Sequence, residues 1–506
     1  MAKGIVVKCK PEDGEDFTVK FEHMAISLLP TPFPAELYEK SKELALHFGV
    51  LIRQMLANPQ RNIHETLAHF NTTDPFVNRL LKISSVFNGT PVQERQNMQM
   101  LIMRTDFMVD QVSKSLKLVE FNTIAAGLGS LSQRVFELQQ YVLAKYGDNM
   151  RVGDSQIALP RDDVGRHSLI ETAQSFADGM KIYLEGMKQR LPREYETITI
   201  KKIYTLFVVE EQERNLGDQR CLEDQLFNTH GILTIRATFT QLSTQMQVDP
   251  LTKKLSVQGK EIGIVYYRTG YVAEQYNGER DWKIREALEL SMAIKCPTID
   301  LHLLTLKKFQ EAFSCDEFLY SVLTDRHQEI ADSLQPYFQG IWSLQYLGLD
   351  SSKDQFYEQL IKRAIQNPQD FVIKPQKEGG GNNFYGKDVQ SMLESTSPGR
   401  DEILRQYLIM EIIRPPTISV AMLRQGKLAI REAVAELGIF STVFINSTSS
   451  TSIQESTQNK VIGLLMRTKG MECNEGGVNS GYSVIDQPLL VQNWSGQPRL
   501  EPVWNL

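Results

Sequence analysis

The chain is poor in cysteine, which excludes two classes of protein. Its 506 residues include five cysteines, at Cys9, Cys221, Cys296, Cys315 and Cys473. The number is odd, the spacing is wide and no two cysteines form a CxxC pair, so neither a disulfide framework nor a zinc-sulfur site is predicted. This pattern predicts a reducing compartment, and we expect a cytoplasmic protein. Secretion stays open as an alternative if the N-terminus has been trimmed.

Long apolar runs and a large excess of charge are also absent. No run reaches the roughly 18 apolar residues that span a bilayer, and 55 basic against 61 acidic side chains give a net charge of −6. We therefore expect no membrane and no nucleic acid as a partner. The 42% hydrophobic and 23% charged residues are typical of a globular chain with roughly two to four domains.

Several catalytic motifs are missing. There is no Gly-x-Ser-x-Gly motif, and the eight histidines form no recognisable triad. His64 and His69 are five positions apart, so on a helix they would point about 140° away from each other and not bind one zinc ion. No Walker A ending of the Gly-Lys-Ser/Thr type occurs. A serine hydrolase, a zinc protease and a P-loop protein are therefore not predicted.

Apolar spacing predicts different structures along the chain. The first 150 residues are predicted to be mainly helical, with helices over 35–47 and 131–143 and one strand between them, over 117–122. Residues 196–305 follow the order β-α-β-β and then a helix, which predicts a small, partly parallel sheet covered by helices. Short strand-like runs return from Phe371 onward, so the class predicted is mixed α+β.

A glycine-rich segment after the predicted strand at Lys374 is the strongest single signal. The run Gly379–Gly381 favours a loop whose backbone amides fold over an anion such as a nucleotide phosphate. On spacing alone, a plain hairpin connection is an equal alternative. The neighbouring Lys374, Glu378 and Asn382 favour the phosphate role.

Glu120 and Asn122 form a second signal. They are two positions apart on a predicted strand and therefore lie on the same face. Magnesium prefers oxygen ligands, so these two side chains and Glu378 are candidates to share metal ions around a triphosphate. A polar, solvated strand face is the alternative, and the strand taken alone favours it.

Charged residues follow two of the predicted strands in the 196–305 region. The segments Glu210–Asn215 and Arg268–Tyr271 are candidates to bind a charged small molecule, since arginine pairs with carboxylates and glutamate with ammonium groups. Charged surface loops are the alternative.

Arg467 and Lys469 precede another glycine-rich loop, at 476–481. This loop is a candidate to cover an anionic substrate, and a simple surface turn is the alternative.

Six segments of the chain together resemble those of eukaryotic glutathione synthetases. The likeness covers nearly the whole chain from about Gly49. It implies an ATP-grasp fold, with a core and glycine-rich lid formed by residues 1–196 and 306–506 and a permuted substrate-binding α/β domain at 197–305. It also implies a homodimer. The six segments are Glu120–Ile124, Glu213–Arg220, Ala293–Pro297, Lys374–Gly386, Glu436–Phe440 and Leu465–Lys469.

The resemblance implies an ATP- and magnesium-dependent ligase that joins glycine to γ-glutamylcysteine through an acyl phosphate. It assigns two Mg²⁺ ions to Glu120, Asn122 and Glu378, and charge stabilisation in the reaction to Arg104, Lys374 and Arg467. The ATP contacts that it implies are Lys307, Lys374, Gly379, Gly380, Gly381, Asn382, Asn383, Tyr385, Met410, Glu411, Ile413, Glu436 and Lys469. The substrate contacts that it implies are Arg104, Gly127, Glu213, Asn215, Gln219, Arg268, Tyr271, Arg467, Val478 and Asn479.

The chain departs from the family pattern in two loops. Ala125 and Gly127 stand where the family usually has serines, which predicts donor binding weaker by roughly an order of magnitude. Asn479 and Ser480 replace two alanines and predict a reshaped acceptor pocket. Two alternatives stay open: a related ligase with another acceptor or donor and weak glutathione synthesis, and a nucleotide-binding paralogue without catalysis. The retained charged residues argue against the second.

Overall fold

The structure is a computed structural model that describes residues 4–9, 20–146, 150–151, 157–158, 164–324, 327–375, 383–447, 458–473, 477–478, 481–492 and 501–502. Within these ranges, no helix combines the length and the apolar character needed to cross a membrane. Six of the predicted site residues lie outside the described residues: Glu378, Gly379, Gly380, Gly381, Asn382 and Asn479.

The helices occur in all parts of the described chain. In order they are α1 (Ala35–Met55), α2 (Phe70–Thr73), α3 (Pro75–Gly89), α4 (Gly129–Tyr146), α5 (Val164–Arg190), α6 (Pro192–Tyr195), α7 (Leu216–Gln225), α8 (Phe239–Gln245), α9 (Glu279–Leu290), α10 (Ile299–Leu303), α11 (Lys307–Ser314), α12 (Asp316–Val322), α13 (Gln328–Leu334), α14 (Asp354–Gln366), α15 (Lys387–Glu394) and α16 (Arg400–Leu404).

The strands form several sheets. In order they are β1 (Val6–Lys8), β2 (Phe21–His23), β3 (Ile26–Ser27), β4 (Thr31–Pro34), β5 (Met98–Asp110), β6 (Ser115–Asn122), β7 (Met150–Arg151), β8 (Ile157–Ala158), β9 (Tyr204–Val208), β10 (Thr234–Ala237), β11 (Met246–Val248), β12 (Leu255–Val257), β13 (Lys260–Tyr267), β14 (Ile294–Cys296), β15 (Ile341–Ser343), β16 (Phe371–Pro375), β17 (Phe384–Tyr385), β18 (Tyr407–Glu411), β19 (Ile418–Arg424), β20 (Lys427–Asn446), β21 (Asn459–Gly470), β22 (Ser483–Asp486), β23 (Pro488–Val491) and β24 (Glu501–Pro502).

The largest sheet has seven strands in the order β19-β3-β22-β21-β20-β5-β6. Strand β5 lies between β20 and β6 and is antiparallel to both. On one face of β5, Leu101 and Met103 join an apolar cluster with α1 and α3. On the other face, Met100 and Ile102 pack with α4 and α5. Because side chains alternate along a strand, this second face continues into Arg104, which begins the candidate site.

The sequence prediction of a single strand between two helices is wrong for this part of the chain. The 13-residue strand β5 precedes β6, and its residues are almost all buried. A strand covered on both faces has a nearly continuous apolar sequence, so the alternation that marks a half-exposed strand is absent. The segment Met98–Asp110 therefore gives no period-two signal.

A second sheet is built from the strands between 204 and 296. Its order is β10-β9-β13-β12-β11, with β14 paired to β13. Strand β9 is parallel to β10 and β13, and β14 is parallel to β13. This is the small, partly parallel sheet predicted from the sequence. The carboxyl ends of β9 and β13 lead directly into Glu210–Asn215 and Arg268–Tyr271. The predicted domain limits of 197 and 305 stay a prediction.

A third, antiparallel sheet has the order β15-β18-β16-β17. One of its faces packs on α14 and α15 through Phe371, Ile373 and Ile409. The alternate residues of β16 and β18, among them Val372 and Met410, form a separate apolar cluster on the opposite face. Lys374 is two positions after Val372 and thus belongs to this second face.

The carboxyl of Asp300 on α10 is buried and provides a test of the packing of α10 against α3. It accepts hydrogen bonds from Ser84 and, at 2.9 Å, from Nδ2 of Asn88. Burial raises the pKa of Asp300 from its ordinary 3.8 to about 6, although both hydrogen bonds act in the opposite direction. The protonated form is thus favoured in the folded state. Its contribution to stability is full below pH 4 and is lost as the pH rises through about 6.

We expect the substitution Asp300→Asn to remove this pH dependence. Between pH 5 and pH 8, the free energy of unfolding of the unsubstituted chain should fall by about 1–1.5 kcal/mol relative to the variant. Urea unfolding of both proteins at a series of pH values measures the difference. A difference that does not change with pH would contradict a raised pKa at this position.

Candidate active site

Charged side chains from four neighbouring strands form one row on the large sheet. Residues that face each other across a ladder point to the same side of a sheet. Asp106 lies opposite Gly438 on one side and Glu120 on the other. The row consists of Arg467 from β21, Glu436 from β20, Arg104 and Asp106 from β5, and Glu120 and Asn122 from β6.

Asp106 is at the centre of this row and was not among the predicted site residues. It is fully buried, and Arg104 donates to it through Nε at 2.6 Å and Nη2 at 2.7 Å. Nη2 of Arg467 lies 3.0 Å from the same carboxylate. One signal was available in the sequence, because Asp106 is two positions after Arg104 and shares its strand face once β5 is recognised.

Arg467 joins two carboxylates from different strands. Besides Asp106, its Nη2 donates to Glu436, which is 6% exposed. Burial raises the pKa of Glu436, against the effect of the nearby Arg467. Burial lowers the pKa of Arg467, but the charges of Glu436 and Asp106 outweigh this and raise it above its ordinary value. Arg467 therefore stays charged and anchors the row at the β21 side.

Glu120 faces basic side chains from other elements. Burial raises its pKa, but the charges of Lys307, Arg467, Lys374 and Arg104 together lower it to about 2. Burial also lowers the pKa of Lys374, as does its neighbour Lys307, against the effect of Glu120 and Glu436. Lys469 is close enough to Lys374 to lower its pKa as well.

Basic residues therefore outnumber acidic ones at this site. Within the described chain, five basic side chains face three carboxylates. A partly buried site with an excess of positive charge favours an anionic ligand, because the attraction between charges is stronger where water is excluded. The basic residues are Arg104, Lys307, Lys374, Arg467 and Lys469; the acidic residues are Asp106, Glu120 and Glu436.

An apolar surface lies next to Lys374 on the third sheet. Val372 pairs with both Met410 and Tyr385 in the strand register, and Ile341, Val372, Leu408 and Met410 form one apolar cluster against which Tyr385 packs. A flat apolar surface beside a lysine suits a planar base followed by phosphates. The structure thus places the predicted ATP contacts Lys374, Tyr385 and Met410 together.

The other predicted ATP contacts on this sheet are more peripheral. Glu411 accepts a hydrogen bond from Nη2 of Arg363 at 2.9 Å, and Ile413 follows the end of β18 and is partly exposed. Nδ2 of Asn383 donates to the hydroxyl of Tyr385 at 3.4 Å. These residues surround the edge of the apolar surface.

Glu120 and Asn122 fit a magnesium site. Nδ2 of Asn122 donates to Glu120 at 3.4 Å and to Asp106 at 3.2 Å, so the predicted pair does lie on one face. Glu120 is ionised at neutral pH because its pKa is about 2. Among the described residues, no group of three or more His, Cys, Asp or Glu side chains is arranged to hold a metal. Magnesium bound to nucleotide needs only one or two protein carboxylates, so the pair is sufficient.

A second cluster forms at the carboxyl ends of β9 and β13. Glu213 accepts hydrogen bonds from the backbone N–H of Asn215 at 2.7 Å and from Nε2 of Gln219 at 2.5 Å. Arg268 donates to the carbonyl of Ala126 at 3.1 Å. The backbone N–H of Tyr271 donates to Gln275 at 2.9 Å. The predicted substrate contacts Glu213, Asn215, Gln219, Arg268 and Tyr271 are therefore in one place.

Three buried polar atoms in this cluster have no hydrogen-bond partner among the described residues. They are Oδ1 of Asn215, Oε1 of Gln219 and Nε of Arg268, on side chains that are 2–7% exposed. Buried polar groups are nearly always hydrogen-bonded in proteins. Two acceptors and one cationic donor without partners indicate a polar ligand that carries both donor groups and a carboxylate.

Asp218 fixes the loop that leads from β6 to α4. Its carboxylate accepts backbone N–H groups from Leu128 at 2.9 Å, Ser130 at 3.0 Å and Leu131 at 3.3 Å. Nη2 of Arg268 lies 3.7 Å from the same carboxylate. Ala125 and Leu128 have φ values of 52° and 76°, a left-handed conformation that costs energy in residues other than glycine. Asp218 thus stabilises a strained loop and also orients Arg268.

Gly127 in this loop leaves room for Arg268. A Cβ atom at this position would overlap Nη2 of Arg268 and lie 3.0 Å from Nδ2 of Asn215. The space of a serine side chain is therefore filled by the guanidinium group, which is only 5% exposed and has Ala126, Tyr266 and Asp218 as partners. Arg268 thus lies where the hydroxyl of a serine would be.

We therefore expect Gly127→Ser to weaken binding of the donor substrate. Displacing Arg268 from its partners should raise KM for the donor by about tenfold, the effect of losing one or two hydrogen bonds to a charged group, and leave KM for ATP unchanged. Steady-state kinetics with each substrate varied in turn measures both values. The control is Gly186→Ser on α5, where a new side chain meets nothing within 4 Å. A lower KM for the donor in Gly127→Ser would show that Arg268 can move away from the serine without weakening the binding of the donor.

The structure places two of the residues predicted at the acceptor end, Arg467 and Val478, in different surroundings. Arg467 lies in the charged row described above. Val478 is 5% exposed and belongs to the apolar cluster that includes α4 and α5. Asn479, beside it, lies outside the described residues.

Comparison with protein families agrees with this geometry. Residues 1–490 match the family model described as "Eukaryotic glutathione synthase, ATP binding domain". The chain belongs to the eukaryotic glutathione synthase family. The match covers the elements that supply the charged row, the apolar surface and the polar cluster.

Members of this family from distant organisms align along nearly the whole chain. The chloroplastic glutathione synthetase of Arabidopsis thaliana is 30% identical over 491 residues, which are 96% of this chain and 83% of that protein. The glutathione synthetase of Dictyostelium discoideum is 30% identical over 97% of this chain and 96% of its own length. The human glutathione synthetase is 29% identical over 97% and 94%.

A solved structure shows the same fold. The glutathione synthetase-like effector of Globodera pallida, in its apo form, superposes with a TM-score of 0.67 and covers 97% of this chain and 94% of that chain. Its sequence identity is 18%, so this likeness concerns the fold. The predicted fold class, mixed α/β of the glutathione synthetase type, is confirmed.

Proposed function

We propose that this chain is an ATP-dependent ligase that joins glycine to γ-glutamylcysteine. The observation that carries the proposal is the charged row, in which Arg104, Arg467 and Glu120 meet Lys307 and Lys374 beside an apolar surface. Membership of the glutathione synthase family supports the same reaction. The substrates are small molecules. The charged row offers a site for the reacting carboxylate and the phosphates of ATP, and the polar cluster offers a site for the γ-glutamyl end of the donor.

The donor must first be activated, because a carboxylate is a poor acyl donor. We infer that its carboxylate attacks the γ-phosphate of ATP, forming an acyl phosphate and releasing ADP. The amine of glycine then displaces phosphate, and an amide bond forms. Negative charge is spread over phosphoryl oxygens in the first step and over the carbonyl oxygen in the second.

The basic residues are suited to stabilise that charge. Lys374 lies beside the apolar surface assigned to the base, and Lys307 is close enough to lower the pKa values of both Lys374 and Glu120, so a triphosphate would extend past both lysines toward Glu120. Arg104 and Arg467 lie further along the row, on the side of β5 and β21. Groups held in place before the reaction stabilise developing charge without the cost of reorientation.

Two Mg²⁺ ions are part of the proposal. Glu120 and Asn122, with Glu378 as the resemblance implies, would hold them. When bound, magnesium neutralises phosphate charge and polarises the phosphoryl group. Nδ2 of Asn122 donates to Asp106 at 3.2 Å and to Glu120 at 3.4 Å, so the amide oxygen is the atom that would meet a cation.

The polar cluster at β9 and β13 is proposed to bind the γ-glutamyl end of the donor. Arg268 pairs with a carboxylate, and the oxygens of Asn215 and Gln219 accept from an ammonium group. These three side chains carry the polar atoms that lack partners. We further propose that the chain acts as a homodimer, as the family resemblance implies; sedimentation velocity tests this.

Product analysis tests the reaction. We expect purified protein with ATP, Mg²⁺, γ-glutamylcysteine and glycine to release ADP and to form the tripeptide, detected by mass spectrometry, in equal amounts. A panel of other amines in place of glycine measures selectivity for the acceptor. ADP release that needs no γ-glutamylcysteine, or turnover only with another amine, would contradict the proposal.

A pair of lysine variants controls for contaminating activity. Lys374→Met removes a predicted phosphate contact and should lower turnover at least about 10²-fold, a magnitude typical for one electrostatic contact in a transition state. Lys427→Met changes an exposed lysine at the start of β20 and should leave turnover unchanged. Equal activity of the two variants would place the catalysis elsewhere.

A further inference from the structure

Within the part of the chain that the structure describes, Asp106 accepts four hydrogen bonds, all from side chains of the protein. Oδ1 accepts from Nε of Arg104 at 2.6 Å, and Oδ2 accepts from Nη2 of Arg104 at 2.7 Å. Oδ2 also accepts from Nη2 of Arg467 at 3.0 Å and from Nδ2 of Asn122 at 3.2 Å. Each oxygen of a carboxylate has about two lone-pair positions, so Oδ2 is saturated and Oδ1 keeps one. The side chain is 0% exposed, so that position is closed to a substrate group.

The neighbouring strand is shaped to fit this arrangement. Gly438 lies opposite Asp106 on β20. A Cβ atom at this glycine would overlap Oδ1 of Asp106 and lie 2.8 Å from Cδ of Arg104. The paired side chains therefore occupy the volume that any other residue at 438 would fill. Their position depends on the absence of a side chain there.

Arg104 and Arg467 share Asp106 as a hydrogen-bond partner at this site. Arg104 is on β5 and Arg467 is on β21, with β20 between them. Both are mostly buried, with side chains 8% and 15% exposed. Two guanidinium groups brought together in a partly buried site repel each other. The single carboxylate of Asp106 touches both and so holds them near each other.

We propose that Asp106 is a positioning residue that sets Arg104 and Arg467 for the transfer of the acyl group. This inference rests on the proposed function and deepens it. Asp106 does not touch the substrates, because its side chain is fully buried, and it acts through the two arginines. Bidentate pairing fixes a guanidinium in orientation as well as in position, which is what alignment of a reacting carboxylate requires.

Asp106→Asn is the direct test. The substitution keeps the shape but places an amide N–H₂ against an arginine donor, so one guanidinium must move. We expect kcat/KM for γ-glutamylcysteine to fall about 10²–10³-fold, with the Kd for MgATP, measured by calorimetry, within about threefold of the unsubstituted value. Parallel losses in ATP binding and in turnover would show a merely structural role and overturn the proposal.

A matched control comes from Asp300, a buried carboxylate outside the candidate site. Asp300 has the same chemistry and is 2% exposed, but it contacts Ser84 and Asn88. Asp300→Asn should leave kcat/KM within about threefold. If it lowers activity as much as Asp106→Asn does, loss of any buried carboxylate explains the effect and the proposal fails.

A double-mutant cycle shows whether Asp106 acts through Arg104. In the background of Arg104→Met, the further change Asp106→Asn should cause a loss of kcat/KM at least about tenfold smaller than in the unsubstituted chain, because only its effect through Arg467 is left. Independent, multiplicative losses would overturn the proposal.

Crystal structures separate this inference from the proposed reaction. In Asp106→Asn, we expect the guanidinium of Arg104 or that of Arg467 to move by more than about 1 Å, a shift large enough to disturb catalysis. If neither guanidinium moves, the positioning role is overturned whatever the activity. A moved guanidinium in a protein whose unsubstituted form makes no tripeptide would refute the proposed function and leave the positioning role standing. If Asp106→Asn does not fold, Gly438→Ala, which displaces the same pair, replaces it in each measurement.

Discussion

Replacing Arg467 with methionine is expected to abolish measurable ligation and to lower the free energy of unfolding by about 3–5 kcal/mol, the usual cost of breaking a buried ion pair from one side. The side chain pairs with Asp106 at 3.0 Å and with Glu436. Without it, two buried carboxylates face each other with less positive charge nearby. Loss of a guanidinium aimed at developing negative charge costs roughly 10³-fold in rate on its own.

The stability loss should depend on pH. Burial already raises the pKa of Glu436, and removal of Arg467 raises it further, so protonation near pH 5 relieves part of the repulsion. Urea unfolding at pH 5 and pH 8 should therefore show a smaller deficit at pH 5. Arg79→Met is the control, because Arg79 and Glu279 form an exposed ion pair worth at most about 1 kcal/mol. A deficit of that small size for Arg467→Met would mean that the row is not a coupled network.

Glu120→Gln is expected to lower MgATP-dependent turnover by about 10³-fold or more, because the amide cannot neutralise a metal-bound triphosphate as a carboxylate does. The concentration of Mg²⁺ at half-maximal ADP release should rise at least about tenfold, as is usual when a metal ligand is lost. Titration of Mg²⁺ at fixed ATP measures this. The pKa of about 2 means that the unsubstituted chain should keep its Mg²⁺ dependence down to the pH at which it unfolds.

The glutamine variant also has a defined effect on stability. Glu120 has a lowered pKa, so its contribution to folding is present above the ordinary value of 4.5 and is lost as the pH falls toward 2. Glu120→Gln should thus destabilise the protein at pH 7, and by less than half as much at pH 3. Glu279→Gln, on an exposed helix end, is the control. An unchanged Mg²⁺ requirement in Glu120→Gln would remove Glu120 from the metal site.

Local patterns in the sequence predicted the parts of the site that depend on neighbours along the chain. Alternation over 117–122 put Glu120 and Asn122 on one face, and their side chains do contact each other. Charged segments after β9 and β13 were placed at the edge of a partly parallel sheet because the order of strands and helices restricts the topology to few choices. The polar cluster lies there.

The central residue of the site was not predictable in the same way. Asp106 lies in a strand whose sequence is apolar almost throughout, so no alternation marks the strand or its faces. Its importance comes from Arg104 on its own strand, from Arg467 on β21 and from Gly438 on β20, where the lack of a side chain leaves room for the Asp106–Arg104 pair. The contacts with Arg467 and Gly438 join positions separated by more than 300 residues. The same holds for Gly127. The sequence shows only that a serine hydroxyl is absent there, whereas the structure shows that Arg268 fills the space of the side chain.

The sequence by itself determined the chemistry available to this protein: carboxylate and amide oxygens on one strand face, lysines beside a glycine-rich loop and the likeness to a ligase family. Composition, the periodicity of apolar residues and the spacing of motifs are properties of short stretches of chain, so they can be recognised without coordinates. Only the tertiary structure decided which charges are neighbours, because the pairing of β21, β20, β5 and β6 sets distances that no local pattern encodes. The same pairing makes Asp106 the partner of two arginines, and burial in that sheet raises the pKa of Glu436.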